Sequence, residues 1–307
     1  MSASPLASNS GTPTIHQSVL LTEVIAALSP VSGGIYVDTN LGMGGHSEQI
    51  LLASGPHGRV IGFEWDQEAM AMAQARLAPF GERVEFVRQN FAAMPHCLAG
   101  LGITRVDGIL CDLGLSSYQL DESRRGFSFR GSEPLDMRMD PRQEQTAADL
   151  IRTASEAELA DLFYYFGEER QARRIASFIV EQRKRGAIAT TDQLVTIVEQ
   201  AVPKKFHPPK IHVATKVFQA LRIAVNHELD NLMALLKAAP ALLNNDARFC
   251  VISFHSLEDR LVKRAFAEDP GLTIVTKRPV IAGEEELKIN PRARSAKLRV
   301  AKRAEKR

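Results

Sequence analysis

The stretch "YVDTNLGMGGHS", Tyr36 to Ser47, decides how the first third of the chain folds. A short apolar run ends in an acid, Asp38, and the glycines Gly42, Gly44 and Gly45 follow at once. A helix beginning near Gly44 presents its unsatisfied N–H groups to a ligand, and the glycines remove side chains that would block close approach. Outward from this loop, "GIYVD" (Gly34–Asp38), "RVIGFE" (Arg59–Glu64), "VEFV" (Val84–Val87) and "VDGILCD" (Val106–Asp112) read as parallel strands, with a helix over Asp66–Leu77. Strand–helix units joined by right-handed crossovers predict an open, mostly parallel α/β sheet.

From about Arg130 the pattern changes to helical spacing without strands, and it continues through "TTDQLVTIVEQAV". A basic, proline-broken loop, "PKKFHPPK", then precedes a long helix, and strand signal returns in "RFCVISF" (Arg248–Phe254), "LTIVT" and "KLRV". A sheet interrupted by helices and then completed predicts an insertion. The expected division is a leader over residues 1–14, a sheet domain over 15–128 and 216–307, and a helical insert over 129–215.

The 307 residues are enough for one large α/β domain carrying such an insert. Apolar residues make up 45% and charged ones 24%, and no run approaches the ~18–20 apolar residues of a membrane span. The Ser-, Ala- and Pro-rich start lacks the basic and apolar parts of a signal peptide, so it reads as a disordered leader. Cys97, Cys111 and Cys250 are widely spaced with no CxxC pair, which argues against a disulfide framework or structural zinc and fits the reducing cytoplasm. No spacing of His, Cys and acids reads as a metal site. Net charge is only +2, yet Lys288–Arg307 holds nine Lys or Arg against the single acid Glu305. That excess fits a surface for a polyanion and equally a solvated tail.

Glu64 ends the second strand nineteen residues after Gly45, where a carboxylate accepts hydrogen bonds from both ribose hydroxyls of an adenosine-bearing cofactor. The loop is not G-x-G-x-x-G, and Asp38 before it suits the cationic methionine portion of S-adenosylmethionine better than a dinucleotide. At the carboxyl end of the fourth strand, "DGILCDLGLSSYQLD" places Asp112 beside the crevice, with Ser116 and Ser117 either as auxiliary polar groups or as a helix cap. "SFHSLEDR" after the later strand directs His255 and Ser256 to the same crevice; no G-x-S-x-G elbow accompanies them, which disfavours a hydrolase. "RGFSFRGSEPLDMRMD" (Arg125–Asp140) offers Arg and Phe faces for unpaired bases, or simply packs the insert.

These motifs, "HQSVLLTEVI", "LGMGGHS", "DLGLSS", "RGFSF", "LDMRMD", "FGEE", "VFQALRIAVNHEL", "SFHSLEDR" and "NPRARSAKLRVAKR", run in order along nearly the whole chain. In this the chain resembles the bacterial 16S ribosomal RNA cytosine-N4 methyltransferases. The resemblance implies a class I methyltransferase fold, a Rossmann-like, mostly parallel seven-stranded sheet with a substrate-recognising helical insert. It implies S-adenosylmethionine contacts at Gly44, Gly45, His46, Glu64, Phe91, Asp112 and Gln119. The target is then the N4 amine of a cytidine in the decoding region of 16S rRNA, within the small ribosomal subunit. Asp112 is expected to orient that amine, with Ser116, His255 and Ser256 as further candidates for proton handling. Arg138, Lys204, Lys205 and Lys210 are expected on the rRNA backbone. Asn40, Met43, Glu64 and Val213 depart from the family pattern, though none removes a required chemical group. Two rivals are weaker: a DNA amino methyltransferase carries a Pro-Pro-aromatic motif where this chain has "DLGLSS", and a non-catalytic cofactor-binding assembly factor does not need an intact Asp112 loop.

Overall fold

The computed structural model describes residues 18–129 and 131–304. The expected leader and the last three residues of the basic tail lie outside the described residues. Helix α1 (Leu21–Leu28) precedes strand β1 (Ile35–Asp38), and α2 (Gly45–Ala53) leads to β2 (Arg59–Phe63). Asp66 accepts the Glu68 N–H and so caps α3 (Gln67–Leu77), which returns to β3 (Val84–Val87). Next come α4 (Met94–Gly100), β4 (Val106–Asp112) and α5 (Ser117–Asp121). Five helices follow: α6 (Ala147–Thr153), α7 (Glu156–Tyr165), α8 (Ala172–Arg183), α9 (Thr191–Ala201) and α10 (Thr215–Asn226). The chain then re-enters the sheet through α11 (Glu228–Leu242), β5 (Leu243–Ser253), α12 (Ser256–Glu268), β6 (Leu272–Ile274), α13 (Glu284–Ile289) and β7 (Lys297–Arg303).

The seven strands lie in the order β3-β2-β1-β4-β5-β7-β6. Neighbours from β3 to β5 are parallel, and β7 runs antiparallel to both β5 and β6. Because successive strand residues point to opposite faces, Tyr36, Val60, Leu110, Cys250 and Leu298 enter one apolar cluster, with side chains from α1, α2 and α3. Val37, Ile61, Ile109, Cys111, Phe249 and Val251 enter the other, with α4, α11 and α12. Burial on both faces explains why these strands read as continuous apolar runs rather than alternating ones.

A third cluster belongs to the helical insert and extends from Phe127 to Val225. It contains Val217, Phe218, Ala220, Leu221 and Val225 of α10, so that helix, expected with the sheet domain, packs its apolar face into this cluster. Two expectations about basic groups also change. Much of the cationic C-terminal segment is β7 itself, where Lys297 and Arg299 both pair with Asp259, and Lys302 with Asp246. These charges are largely consumed within the fold. Arg138 is likewise committed, to a two-point pair with Asp136 and to the carbonyls of Pro141 and Gln143, so it staples its own loop rather than facing a ligand.

Candidate active site

The carboxyl ends of β1, β2 and β4 open onto a cleft of about 850 Å³, its mouth included. Its floor is the loop from Asn40 to His46, and its walls include Glu64, Trp65, Asp112–Ser116 and Gln119. Smaller hollows adjoin it, sharing Asn40 and Trp65 with the cleft and reaching Phe91. Phe91 lines these adjoining hollows but not the cleft itself.

Local geometry explains the glycine loop. Gly44 has a left-handed backbone, φ 80°, and caps α2; a Cβ there would press to 3.2 Å from Leu77. It shapes the loop from behind and does not line the cleft. Gly45 lines it, and a Cβ on Gly45 would stand 2.1 Å from Ser18 Oγ on the facing wall. Gly42 donates its N–H to Glu64 Oε2 at 2.9 Å, while Asp66 N–H donates to Oε1 at 2.9 Å, so backbone amides hold both oxygens of Glu64 at the cleft. Burial nevertheless pushes this carboxyl up to about 7, the two N–H donors only partly offsetting it.

Asp38 does not line the cleft. It accepts from Ser47 Oγ at 2.7 Å and from the Asn40 N–H, tying β1 to the first turn of α2, and burial raises it to about 6. Its carboxyl is thus committed to fastening the loop rather than facing a methionine cation.

Asp112 is a second perturbed acid of the cleft. Burial first, and then repulsion from Asp38 and Glu258, hold it well above the ordinary carboxylate range. Its Oδ1 is buried with no hydrogen-bond partner. Its Oδ2 lies 3.5 Å from His46 Nδ1. His46 Nε2 is 2.9 Å from the Val19 carbonyl, which can only accept, so Nε2 carries a proton and Nδ1 faces the carboxyl. One proton between Nδ1 and Oδ2 satisfies both groups.

Ser116 and Gln119 form a reciprocal cap at the start of α5: Gln119 N–H donates to Ser116 Oγ, and Ser116 N–H to Gln119 Oε1. Gln119 Nε2 then donates to Asp66 at 3.0 Å. The helix-cap reading of Ser116 holds, though its hydroxyl still borders the cleft.

His255 and Ser256 turn elsewhere. His255 caps α12 and lies 3.1 Å from buried Glu258, and Ser256 Oγ donates to Glu168 of the insert. Adjacency to a strand end placed them near the crevice, but the α12 turn rotates both away from it. Glu228, His255 and Glu258 are close enough to surround a cation, yet Arg222 grips Glu228 at two points, both 2.8 Å, and His255 faces Glu258. Each acid thus already faces a basic side chain.

Lys204, Lys205 and Lys210 are exposed on the loop before α10, with Lys205 5.0 Å from the Phe206 ring. They do not line the cleft. Several residues that do, Trp65, Met139, Asn290 and Arg292, were not singled out from sequence. Trp65, the chain's single tryptophan, directly follows Glu64, and Asn290 and Arg292 stand in the quoted "NPRARS" motif. Arg125 was also missed: it bonds Asp66 and the carbonyls of Arg138 and Met139, fastening the insert's leading segment to the end of β2. Asn226, fully buried, donates to the Met137 carbonyl and accepts the Met139 N–H at 2.7 Å.

A sheet in this order with one reversed strand, a glycine loop at β1 and an acid ending β2 define a class I methyltransferase, whose methyl donor is S-adenosylmethionine. The donor set fits that cofactor. Glu64 retains lone pairs for ribose hydroxyls, and orphaned Asp112 Oδ1 awaits a donor. The chain belongs to the MraW methylase family, whose model matches residues 13–304. It is 57% identical over 289 residues to Ribosomal RNA small subunit methyltransferase H of Desulfotalea psychrophila, covering 94% of this chain and 98% of that one. To the protein of the same name in Geotalea uraniireducens it is 50% identical over 306 residues, with the same coverage of both chains. Among solved structures, an S-adenosylmethionine-dependent O-methyltransferase from Thermotoga maritima aligns with a TM-score of 0.43 at 12% identity, over 96% of this chain and 69% of that one.

Proposed function

We propose that this enzyme methylates the N4 amine of a cytidine in the decoding region of 16S rRNA, acting on the small ribosomal subunit in the cytoplasm. The names of its relatives support the ribosomal substrate, and the observation that carries the chemistry is Asp112, a buried carboxyl at the end of β4 with an unpartnered oxygen. The α2 amides, Glu64, Gln119 and the hollow at Phe91 would hold the cofactor, which supplies an electrophilic methyl carbon on a sulfonium. The target base leaves its stack to enter the cleft. Asp112 accepts a hydrogen bond from the amine and aims its weakly nucleophilic nitrogen, so that most of the rate comes from orientation and electrostatics. The cofactor would give up its methyl carbon and keep the electron pair of that S–C bond, and the amine proton would pass to the unpartnered Asp112 Oδ1 as the proton held at Oδ2 moves toward His46. His46 Nδ1, 3.5 Å away, then shares that proton. Ser116 remains a neighbour able to donate to the base. Exposed Lys204, Lys205 and Lys210 would meet phosphates, making affinity fall with salt.

The test is methyl incorporation from labelled S-adenosylmethionine into small subunits from a strain lacking this gene, with nucleoside mass analysis. N4-methylcytidine with the wild type, lost in Asp112→Ala while cofactor binding persists, is the expected result. No label on any subunit or free rRNA overturns it and favours the assembly-factor rival.

A further inference from the structure

Tyr164 and Tyr165, the last two residues of α7, are 57% and 63% exposed. Their rings meet edge to face, centroids 5.1 Å apart. Phe163 beside them is fully buried in the insert's core and Phe166 packs against it, so the helix's packing is satisfied without the tyrosines. Both border an open groove of about 1030 Å³ with Arg170, Arg173 and Arg174. Arg174 is held by the Ala201 carbonyl and lies 5.4 Å from the Phe178 ring. Arg170 and Arg173 make no ion pair among the described residues. Asp161 is the one acid among the lining residues described, leaving the groove cationic. Of the neighbouring acids, Glu168 is engaged by Arg260 and Ser256, and buried Glu169 accepts the Gln171 N–H.

We propose that this groove binds unpaired bases of the RNA substrate, with Tyr164 and Tyr165 as stacking faces and Arg170 and Arg173 on the flanking phosphates. The proposal rests on the RNA methyl-transfer reading above and extends it to a second binding site. Exposed aromatic faces beside unpaired cations are the physical recipe for holding a single strand, since every base offers a π-face and every linkage a charge. Position supports it too. Glu168, in the turn just after the tyrosines, bonds Ser256 and Arg260 at the start of α12, and Phe254 two residues before Ser256 lines the cleft. The turn that follows the tyrosines is thus tied to the start of α12, which directly follows the strand end carrying Phe254 of the cleft.

The experiment measures initial rates on small subunits lacking the modification, with cofactor affinity measured separately. Tyr164→Ala/Tyr165→Ala is expected to raise KM for subunits about tenfold or more, with kcat and cofactor affinity unchanged. Tyr164→Phe/Tyr165→Phe, which keeps the rings, is expected to restore KM. Arg170→Ala/Arg173→Ala should flatten the slope of log affinity against log salt by about 0.7 for each phosphate left without its arginine. A wild-type KM and salt slope in the alanine variants, or a fall in kcat alone, overturns the groove while leaving the enzyme reading intact. Absence of methyl transfer by the wild type would instead sink the reading beneath it.

Discussion

Burial and the carboxyls of Asp38 and Glu258 hold Asp112 well above the ordinary carboxylate range, while its Oδ1 has no partner. Such a group weakens the fold for the sake of the site. Asp112→Asn keeps the shape, replaces a buried ionisable group by a neutral amide and offers an N–H to His46 Nδ1. We expect about 1 kcal/mol of added stability, seen as a melting point about 2 °C higher, together with a kcat lower by roughly 10²- to 10⁴-fold. A variant of unchanged kcat refutes the role of Asp112. Glu64 gives a second prediction. Its folded pKa is raised by burial to about 7, so the folded chain holds a proton that the unfolded chain releases near 4.5. Stability is therefore full below pH 4.5 and falls by about 3 kcal/mol as pH rises to 7, at roughly 1.4 kcal/mol per unit. Ribose hydroxyls donate to the ionised form, so cofactor affinity should move oppositely, rising as pH passes up through 7. Titration calorimetry between pH 5.5 and 8.5 should lose this step in Glu64→Gln; an identical profile in both proteins refutes it. Glu64 and Asp112 were placed at the cleft by their positions at strand ends, whereas His46 and Gln119, which also line it, were reached only through the family resemblance. His255, Ser256 and Arg138 were misread because sequence adjacency does not say which way a capping or loop residue turns.

Elements were legible where periodicity and neighbours agree. β3 and β4 have the ends expected from sequence, since both are short apolar runs bounded by polar loops. α10 shows why other parts were not: its spacing announces an apolar face, but not that the face fills the insert rather than the sheet. The same holds for β7, whose basic residues looked like a tail because Asp259 and Asp246, their partners, lie far back in sequence. The turn after α7 tests the insert's packing directly. A Cβ on Gly167 would stand 2.6 Å from the Lys216 carbonyl oxygen and 2.7 Å from that of Phe163, both backbone atoms that cannot swing aside. Gly167→Ala should therefore push α7 from α10 and cost about 1–3 kcal/mol, visible as an earlier denaturant midpoint. A midpoint equal to the wild type's would mean that the α7–α10 approach is looser than these distances.

At the scale of the molecule, the cleft is shared between two bodies that have separate apolar cores and few polar ties. Met139, from the insert's leading segment, lines the cleft, and its backbone is held by Asn226 at the end of α10. Asn226 is fully buried and bonds Met137, Met139 and Arg222. Removing it strands the Met139 N–H and the Met137 carbonyl without water to replace the missing bonds, at about 1–3 kcal/mol for each. The change also releases one wall of the cofactor site. Asn226→Ala should thus lower the thermal midpoint of the free protein and weaken the cofactor. Ligand stabilisation follows RT ln(1 + [L]/Kd), so a tenfold weaker Kd removes about 1.4 kcal/mol of the protection seen at a saturating concentration. Scanning both proteins with and without S-adenosylmethionine separates the two effects. A lower midpoint with undiminished protection would mean that Asn226 holds the insert together without shaping the cleft. A loss of both is the expected result, because the segment it clamps is at once the edge of one core and a wall of the site.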